Sequence, residues 1–317
     1  MKKNTDKPKK QKYKWTKNRV QILIMALMGV LFLAVFAYVP MFGVILAFKD
    51  GDKELNILKV LLNSSNWVGF DNFNRFFHDY NFKNILKNTI GLNLLMLCIN
   101  FPAPIIFALL INEVRHPKYK RAVQSVAIFP TFTSWVVFGG ILLSLADINL
   151  GVVNPILRGL GIIKQDGYVN LGEAKYAWLM IIVSSLLKGT GWSSIIYSAA
   201  ILSIDNELYE AATIDGANRF HKMIHITLPG IAPTVTVFFL LSVSGLLNNS
   251  FEHLYVFQNA VNLSKSEVIA TYIYKRGISS RLYSYTTAVG LFQSLVAFIL
   301  LVGSNFVSKK LTGEGLY

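Results

Sequence analysis

The chain has 317 residues, of which 53% are hydrophobic and only 15% are charged, and its formal net charge is +14. Soluble globular domains usually have about 25% charged residues, so the composition excludes an ordinary soluble protein and indicates a polytopic membrane protein. Nine of the 31 Lys and Arg residues lie in residues 1–19, beside one acidic residue. This distribution indicates a basic tail that flanks the membrane. The alternative, a nucleic-acid-binding arm, has no support downstream.

Six runs that lack charge, or nearly so, are long enough to cross the membrane as helices, which takes about 20 residues. The runs are 20–48, 88–112, 122–146, 176–204, 230–251 and 282–308. We expect a break or kink near Pro40 in the first run. Residues 49–87 mix charges with aromatic side chains, which predicts a folded connection or an interfacial helix.

The fold class predicted from these runs is an all-α membrane protein with six transmembrane helices. A basic tail, 1–19, would precede one membrane domain, 20–317. No signal-peptide cleavage site follows the tail, so we expect it to be retained. If the N-terminus is cytoplasmic, the inner segments hold 17 basic residues in 64 positions and the outer segments hold 13 in 98. This asymmetry favours cytoplasmic N- and C-termini, and it places residues 203–229 in the cytoplasm.

Motifs for catalysis and metal binding are absent from the sequence. There is no Gly-rich phosphate loop and no nucleophile elbow, so the chain is not expected to be an enzyme or to bind a cofactor or metal itself. His221 and His225 have the spacing of metal ligands on a helix, but two polar surface side chains without a third ligand are the better interpretation. Cys98, the single cysteine, lies in an apolar run and is expected to pack as a small apolar residue.

Lys188 is the only charge well inside a predicted span. A charge in hydrocarbon costs at least about 2.5–3.5 kcal/mol, so we expect Lys188 to face a wet cavity or to extend towards one end of its helix. The spans hold no acidic residue in mid-membrane. This counts against an ion-coupled carrier, because such carriers usually use Asp, Glu or His in the membrane. Sodium held by backbone carbonyls stays compatible with the sequence.

The polar stretch 207–229 lies between the fourth and fifth spans. Asp205 is a plausible N-cap for a helix that begins near Asn206, and Gly216 permits a turn that a β-carbon would resist. A second short helix is expected over 217–224, and Pro229 suits the first turn of the next span. Two short helices with small residues and an exposed acid suit insertion into a cleft of another protein. An amphipathic loop lying on the membrane is an equal alternative on these grounds alone.

The spacing of seven residues in this stretch resembles the EAA loop of ABC importer permeases. These residues are Glu210, Ala211, Ala212, Gly216, Ile226, Leu228 and Pro229. Asp215 and Thr227 make it similar to the carbohydrate-uptake branch, the relatives of maltose permeases. Residues 38–50, 188–192, 271–277 and 283–285 resemble the LplB-type subgroup, which is associated with complex oligosaccharides in Gram-positive bacteria. The Gly-Gly-Pro motif of many disaccharide permeases is missing at 251–259, which favours a larger sugar.

The resemblance implies the type I ABC importer permease fold and a heteromeric importer in the bacterial cell membrane. Its expected partners are a second homologous permease, two ATPase subunits that bind ATP and Mg, an extracellular lipid-anchored sugar-binding protein, the oligosaccharide and membrane lipids; no nucleic acid is expected. The loop 203–229 would dock in the ATPase cleft, with Glu210 facing a basic group there. The alternatives are a permease for an amino acid or peptide and, from another class, an ion-coupled carrier.

Sugar sites usually combine polar side chains with aromatic faces. The candidates for the substrate path are Asn248, Asn249, Glu252, Trp135, Trp192 and Lys188. For each of them, packing between helices or an interfacial position is the competing interpretation. Asn93 and Asn100 are expected to form hydrogen bonds between helices.

Overall fold

The computed structural model describes residues 16–52, 60, 62, 67–247 and 250–312. Within those residues the chain forms helices and connecting turns, and the β-structure consists of one isolated bridge between Lys49 and Trp67. The long first helix, α1, changes its winding along its length and comprises Lys17–Leu33, a π-helical turn Ala34–Tyr38, Val39–Met41 and a 3-10 stretch Phe42–Phe48. The predicted disturbance at Pro40 is therefore a change in winding within a continuous helix.

Further helices follow α1 along the described chain. In the first half they are α2 (Asp71–Phe77), α3 (Phe82–Asn112), α4 (Pro117–Phe132), α5 (Trp135–Leu145), α6 (Val153–Gly159) and α7 (Ala177–Leu202). In the second half they are α8 (Asn206–Ile214), α9 (Arg219–Gly230), α10 (Ala232–Ser244), α11 (Phe251–Val256), α12 (Leu263–Ser266), α13 (Ile269–Tyr274) and α14 (Tyr283–Thr312).

Four of these helices, α1, α3, α7 and α14, are each long and apolar enough to span a membrane. Two bent pairs, α4 with α5 and α9 with α10, raise the number of candidate spans in the described chain to six. This number agrees with the six predicted spans. The prediction was wrong about the start of α3, which lies at Phe82 and not at residue 88. Lys83 and Lys87 interrupt the uncharged run, but both side chains are exposed on the helix surface.

The predicted third and fifth spans are not single helices. The third is split by a 107° bend between α4 and α5, where Ser134 is extended and accepts a hydrogen bond from the amide of Val137, 3.2 Å away, as the N-cap of α5. The fifth is bent by 60° at Ile231, and α10 ends at Ser244, before residue 251. A count of uncharged residues does not detect such caps and bends.

The described part of the connection after α1 packs against α14 through α2, where the sequence predicted a folded connection or an interfacial helix for 49–87. Phe76 of α2 packs in a buried cluster with Tyr272 of α13 and Tyr285 of α14. The hydroxyl of Tyr272 donates to the carboxylate of Asp79 at 2.8 Å and lies 2.9 Å from the hydroxyl of Tyr285. Burial and these hydrogen bonds raise the pKa of Tyr272, so the phenol stays neutral and the connection is fixed to the bundle.

A second cluster joins the three helices around the polar loop. It contains Ile105 and Ala108 of α3, Tyr197 and Ile201 of α7, and Ile231 at the bend before α10. The side chain of Ile231 is fully buried. By contrast, the side chain of Cys98 is exposed on α3, so its prediction as a packing residue was wrong: in a membrane chain an apolar surface meets lipid as readily as an apolar core.

Candidate functional site

A cavity of about 480 Å³ opens between α3, α5, α7 and α10. Its wall combines aromatic rings with small polar side chains. The residues that line it include Asn93, Asn100, Trp135, Ser185, Trp192, Ser193, Tyr197, Phe238, Ser242, Ser250 and His253. Ligand cavities of a few hundred Å³ with a few polar groups are typical of binding sites for small molecules, so this cavity is the candidate substrate path.

Trp135 and His253 form one wall of the cavity. Their rings are stacked with centroids 3.9 Å apart, and Nε2 of His253 lies 2.9 Å from the hydroxyl oxygen of Ser184 on α7. His253 is 3% exposed. Sequence reasoning assigned all histidines to connections and missed this residue, because α11 folds back between α5 and α7. Both residues of the stack belong to the lining of the cavity.

Asn100 provides unused hydrogen-bonding groups at the same cavity. Neither its amide nitrogen nor its carbonyl oxygen has a partner among the described residues, although both atoms are buried, and the same holds for the hydroxyl of Ser198. Asn93 donates to the backbone oxygen of Thr89 in its own helix, at 2.6 Å. The predicted hydrogen bonds between helices are therefore not observed for either asparagine. Buried polar groups normally have partners, so Asn100 indicates a site for a polar ligand.

Among the described residues that were predicted to form the substrate path, some line the cavity and others do not. Trp135 and Trp192 line the cavity. Glu252 is exposed on α11 and does not line it. Asn248 and Asn249 lie outside the described residues. Lys188 does not line the cavity either: it is 8% exposed and is bound to backbone oxygens. The expectation that Lys188 faces a wet cavity or one helix end was wrong, because carbonyl groups of a neighbouring helix provide its polar surroundings.

The polar loop between α7 and α10 begins as the sequence predicted. α8 spans Asn206–Ile214, and the carboxylate of Asp205 accepts a hydrogen bond from the amide of Glu207 at 3.0 Å. None of the α8 side chains is buried, and that of Glu210 is exposed. Gly216 has a φ of +77°, a left-handed conformation that residues with a β-carbon rarely adopt. The glycine therefore ends α8 and turns the chain towards α9.

The second helix of the loop differs from its prediction. It begins at Arg219, where the side chain of Asn218 accepts from the amide of His221 at 2.9 Å. A π-helical turn, Met223–Thr227, then carries it through to Gly230. Pro229 therefore lies in the last turn of α9 and not in the first turn of the next span. The π turn had no signal in the hydrophobic pattern, since it adds only one residue per turn.

Three contacts hold the two helices of the loop together and to α3. The hydroxyls of Tyr209 and Thr227 are 2.9 Å apart. The ammonium of Lys222 donates to the hydroxyl of Thr213 at 2.6 Å. Arg219 lies 3.9 Å from the carboxylate of Glu113, just beyond α3. The loop is thus a braced unit, with Ala211, Asp215 and Leu228 exposed and Ala212 and Ile226 half-buried.

The described residues contain no group of three or more His, Cys, Asp or Glu side chains that could hold a metal ion. The rings of His221 and His225 are stacked at 5.7 Å on the exposed surface of α9. Both side chains are exposed.

A helical membrane chain with a polar internal cavity and a braced, exposed loop between two cavity-lining helices defines a transport permease. Residues 100–312 match the family described as binding-protein-dependent transport system inner membrane component. The chain belongs to this family, whose members are the membrane components of ABC importers. The resemblance drawn from the loop residues is confirmed, and so is the expectation of a transport component rather than an enzyme.

Relatives with substantial sequence identity match nearly the whole chain. The chain is 41% identical to protein LplB of Bacillus subtilis (strain 168) over 93% of this chain and 91% of that protein. It is 38% identical to the polygalacturonan/rhamnogalacturonan transport system permease protein YteP of the same organism, over 93% and 90% of the two chains.

Among solved structures, the fold is similar to that of a bacterial ABC transporter involved in the import of the acidic polysaccharide alginate. The TM-score is 0.83 and the identity 33%, over 93% of this chain and 97% of the other. A second structure of the alginate transporter, in complex with an alginate pentasaccharide-bound periplasmic protein, gives a TM-score of 0.84 at 33% identity, over 95% and 98% of the chains. The predicted ABC importer permease fold is therefore confirmed.

Proposed function

We propose that this chain is the permease subunit of an ATP-driven importer for oligosaccharides or complex glycans, and that its cavity forms one part of the translocation path. One observation carries the proposal: the exposed loop 203–229 joins the two helices, α7 and α10, that both contribute residues to the cavity wall. A movement imposed on the loop from the cytoplasm would therefore act directly on the path of the substrate.

The loop is proposed to dock in the cleft of an ATPase subunit. Its surface combines the exposed carboxylate of Glu210 with apolar side chains, since Leu208, Ile214 and Phe220 are 54%, 88% and 62% exposed. Exposed apolar groups beside a charge are typical of a protein interface. Glu210 would pair with a basic group of the ATPase subunit. That subunit, and not this chain, would bind the ATP and Mg.

The motion would pass from the loop to the cavity through α9 and the bend at Ile231. Gly230 lies so close to Ile204 that a β-carbon there would stand 2.7 Å from Cδ1 of Ile204. Ile231 is buried in the cluster with α3 and α7. Such tight packing would tie the end of α9 and the start of α10 to the end of α7, and Phe238 and Ser242 lie on α10 at the cavity. Closure of the ATPases would thus open and close the path by rigid-body gating.

A glycan is the proposed substrate because the cavity offers aromatic faces beside free polar groups, and because LplB, YteP and the alginate transporter are the relatives. The remaining subunits would be a second permease, two ATPase subunits and an extracellular lipid-anchored binding protein. Residues 20–317 would form one membrane domain behind the basic tail 1–19. Both termini and the loop 203–229 would be cytoplasmic.

The test is uptake by the complete importer in proteoliposomes, with this chain, its second permease, ATPase and binding protein. Tetrasaccharides from xylan, cellulose, chitin and polygalacturonan serve as probes, and an amino acid mixture and a tetrapeptide serve as comparison. We expect at least one glycan to stimulate ATP hydrolysis and to accumulate. Accumulation of only the amino acids or the peptide, or uptake without any ATPase bound, would refute the proposal.

The unpaired amide of Asn100 gives a prediction about the cavity. Asn100→Ala is expected to raise the KM for glycan uptake by about two- to tenfold, since a hydrogen bond to a buried ligand contributes roughly 0.5–1.5 kcal/mol. Protein yield and assembly should not fall, because no intramolecular hydrogen bond of the described chain is lost. Thr89→Val is the matched control, since Thr89 is buried on the same helix but donates to Ile85 and accepts from the amide of Ile269. It should lower stability and leave the KM unchanged.

A further inference from the structure

The bend between α4 and α5 places irregular backbone inside a membrane span. Between Phe132 and Trp135 the helical hydrogen-bond pattern stops, and the chain turns by 107°. Carbonyl groups at such a break lose their helical partners. In hydrocarbon they have to be satisfied by other protein groups, because no water is available there.

Lys188 of α7 donates to the carbonyl groups at this break, of which that of Pro130 also accepts from the amide of Thr133. Its ammonium donates to the backbone oxygen of Pro130 at 2.9 Å, to that of Thr131 at 3.3 Å, and to that of Thr133. The hydroxyl of Thr131 returns a hydrogen bond to the backbone oxygen of Lys188 at 2.8 Å. One side chain thus ties three positions of the turn, 130, 131 and 133, to α7, and the three ammonium donors match the three oxygens.

The same ammonium lies against the aromatic side chains that follow the bend. Its nitrogen is 5.1 Å from the ring centroid of Trp135 and 5.7 Å from that of Phe138, distances at which a cation is attracted to a ring face. Trp135 in turn is stacked on His253, and both line the cavity. Lys188 therefore contacts both the backbone that sets the position of Trp135 and the ring itself.

We propose that Lys188 is a positioning residue of the substrate path: by clamping the bend it fixes the Trp135–His253 stack that contacts the glycan, without touching the glycan itself. This inference rests on the proposed function. It replaces the assignment of Lys188 as a residue that lines the path, and it explains why a lone cation is kept inside a membrane helix.

The test compares Lys188→Met, which keeps the length of the side chain but has no donors, with Lys188→Arg, which keeps the charge and several donors. In the reconstituted importer, with the tetrasaccharide that the wild type transports best, Lys188→Met should raise the KM by about tenfold, or about 1.4 kcal/mol of binding free energy. Lys188→Arg should recover most of that loss. Lys175→Met, on an exposed lysine paired with Glu173, is the matched control and should leave the KM unchanged.

A double-mutant cycle separates positioning from a general loss of structure. Trp135→Ala should abolish most of the effect of Lys188→Met on the KM, whereas Asn100→Ala, on another wall of the cavity, should add to it independently. If Lys188→Met does not assemble, the same cycle is run with Lys188→Gln. An unchanged KM, or additivity with Trp135→Ala, overturns the inference. A wild-type importer that transports none of the glycans overturns the proposed function instead.

Discussion

Gly216→Val is expected to impair glycan uptake and glycan-stimulated ATP hydrolysis together while the subunits stay assembled. Gly216 has a φ of +77°, and a β-carbon at this position would meet no other atom within 4 Å. The effect of the substitution is therefore backbone strain alone, about 1–2 kcal/mol for a left-handed residue and more for a β-branched one. The strain is relieved when the end of α8 turns away from its position, which displaces the proposed docking surface.

The measurement is glycan uptake and glycan-stimulated ATP hydrolysis of the reconstituted importer. We expect both to fall by roughly tenfold or more, because a free-energy cost of about 1–2 kcal/mol for keeping the loop in its docking position reduces the docked population by about that factor. Gly216→Asn should retain most of the activity, because Asn tolerates the left-handed region. Gly161→Val is the matched control, since Gly161 has a φ of +70° and also has no atom within 4 Å. Equal losses from both valine variants would mean that strain anywhere in the chain impairs transport, and the coupling role of the loop would be refuted.

The sequence correctly predicted those structural features that depend only on residues nearby in the chain. The N-cap at Asp205 and the left-handed glycine at 216 depend on neighbouring residues, and the structure places both as predicted. The six runs also gave the number of candidate spans, because hydrophobic length alone decides which helices cross a membrane. The bends in two of the spans were not predicted. The hydrophobic pattern continues through Ser134 and Ile231, whereas the helical backbone is interrupted there.

The cavity was the part of the structure that the sequence predicted least well. Trp135 and Trp192 were chosen as aromatic residues in spans, and both line it. His253 and Asn100 were missed as cavity residues because their roles depend on which helices meet in space. Lys188 was recognised as exceptional from its cost in the membrane, but its partners are carbonyl groups more than 50 residues away in the chain. Backbone acceptors leave no mark in a sequence, so neither charge pairing nor periodicity could have identified them.

The segment 188–192 was identified in the sequence only by resemblance, but in the structure several of its residues have identifiable contacts. Lys188 binds the carbonyl groups at the bend, and Trp192 lines the cavity. Between them, Gly191 faces the last turns of α4, where the two backbones touch. Gly189 faces open space. The two glycines of the motif are therefore predicted to respond to substitution in opposite ways.

Gly191→Ala is expected to destabilise the permease severely. A β-carbon on Gly191 would stand 2.0 Å from the backbone oxygen of Ala127 and 2.7 Å from the amide nitrogen of Ile128. Because the obstacle is backbone, no side chain can move aside, and α4 and α7 have to separate. Separation also weakens the contacts of Lys188 with the bend. Overpacking of this kind typically costs 1–3 kcal/mol or more, so we expect a lower thermal midpoint, a lower yield of assembled importer and little uptake.

Gly189→Ala, two residues earlier on the same helix, provides the control for this prediction. A β-carbon there meets no atom within 4 Å, and alanine favours a helix interior over glycine by roughly 0.5–1 kcal/mol. We therefore expect an unchanged or higher thermal midpoint and normal uptake. Thermal unfolding of the purified complex, followed by loss of monodisperse protein on size-exclusion chromatography, distinguishes the two variants. If Gly191→Ala matches the wild type in this assay, the close approach of α4 and α7 is contradicted, and with it the clamp that Lys188 forms at the bend.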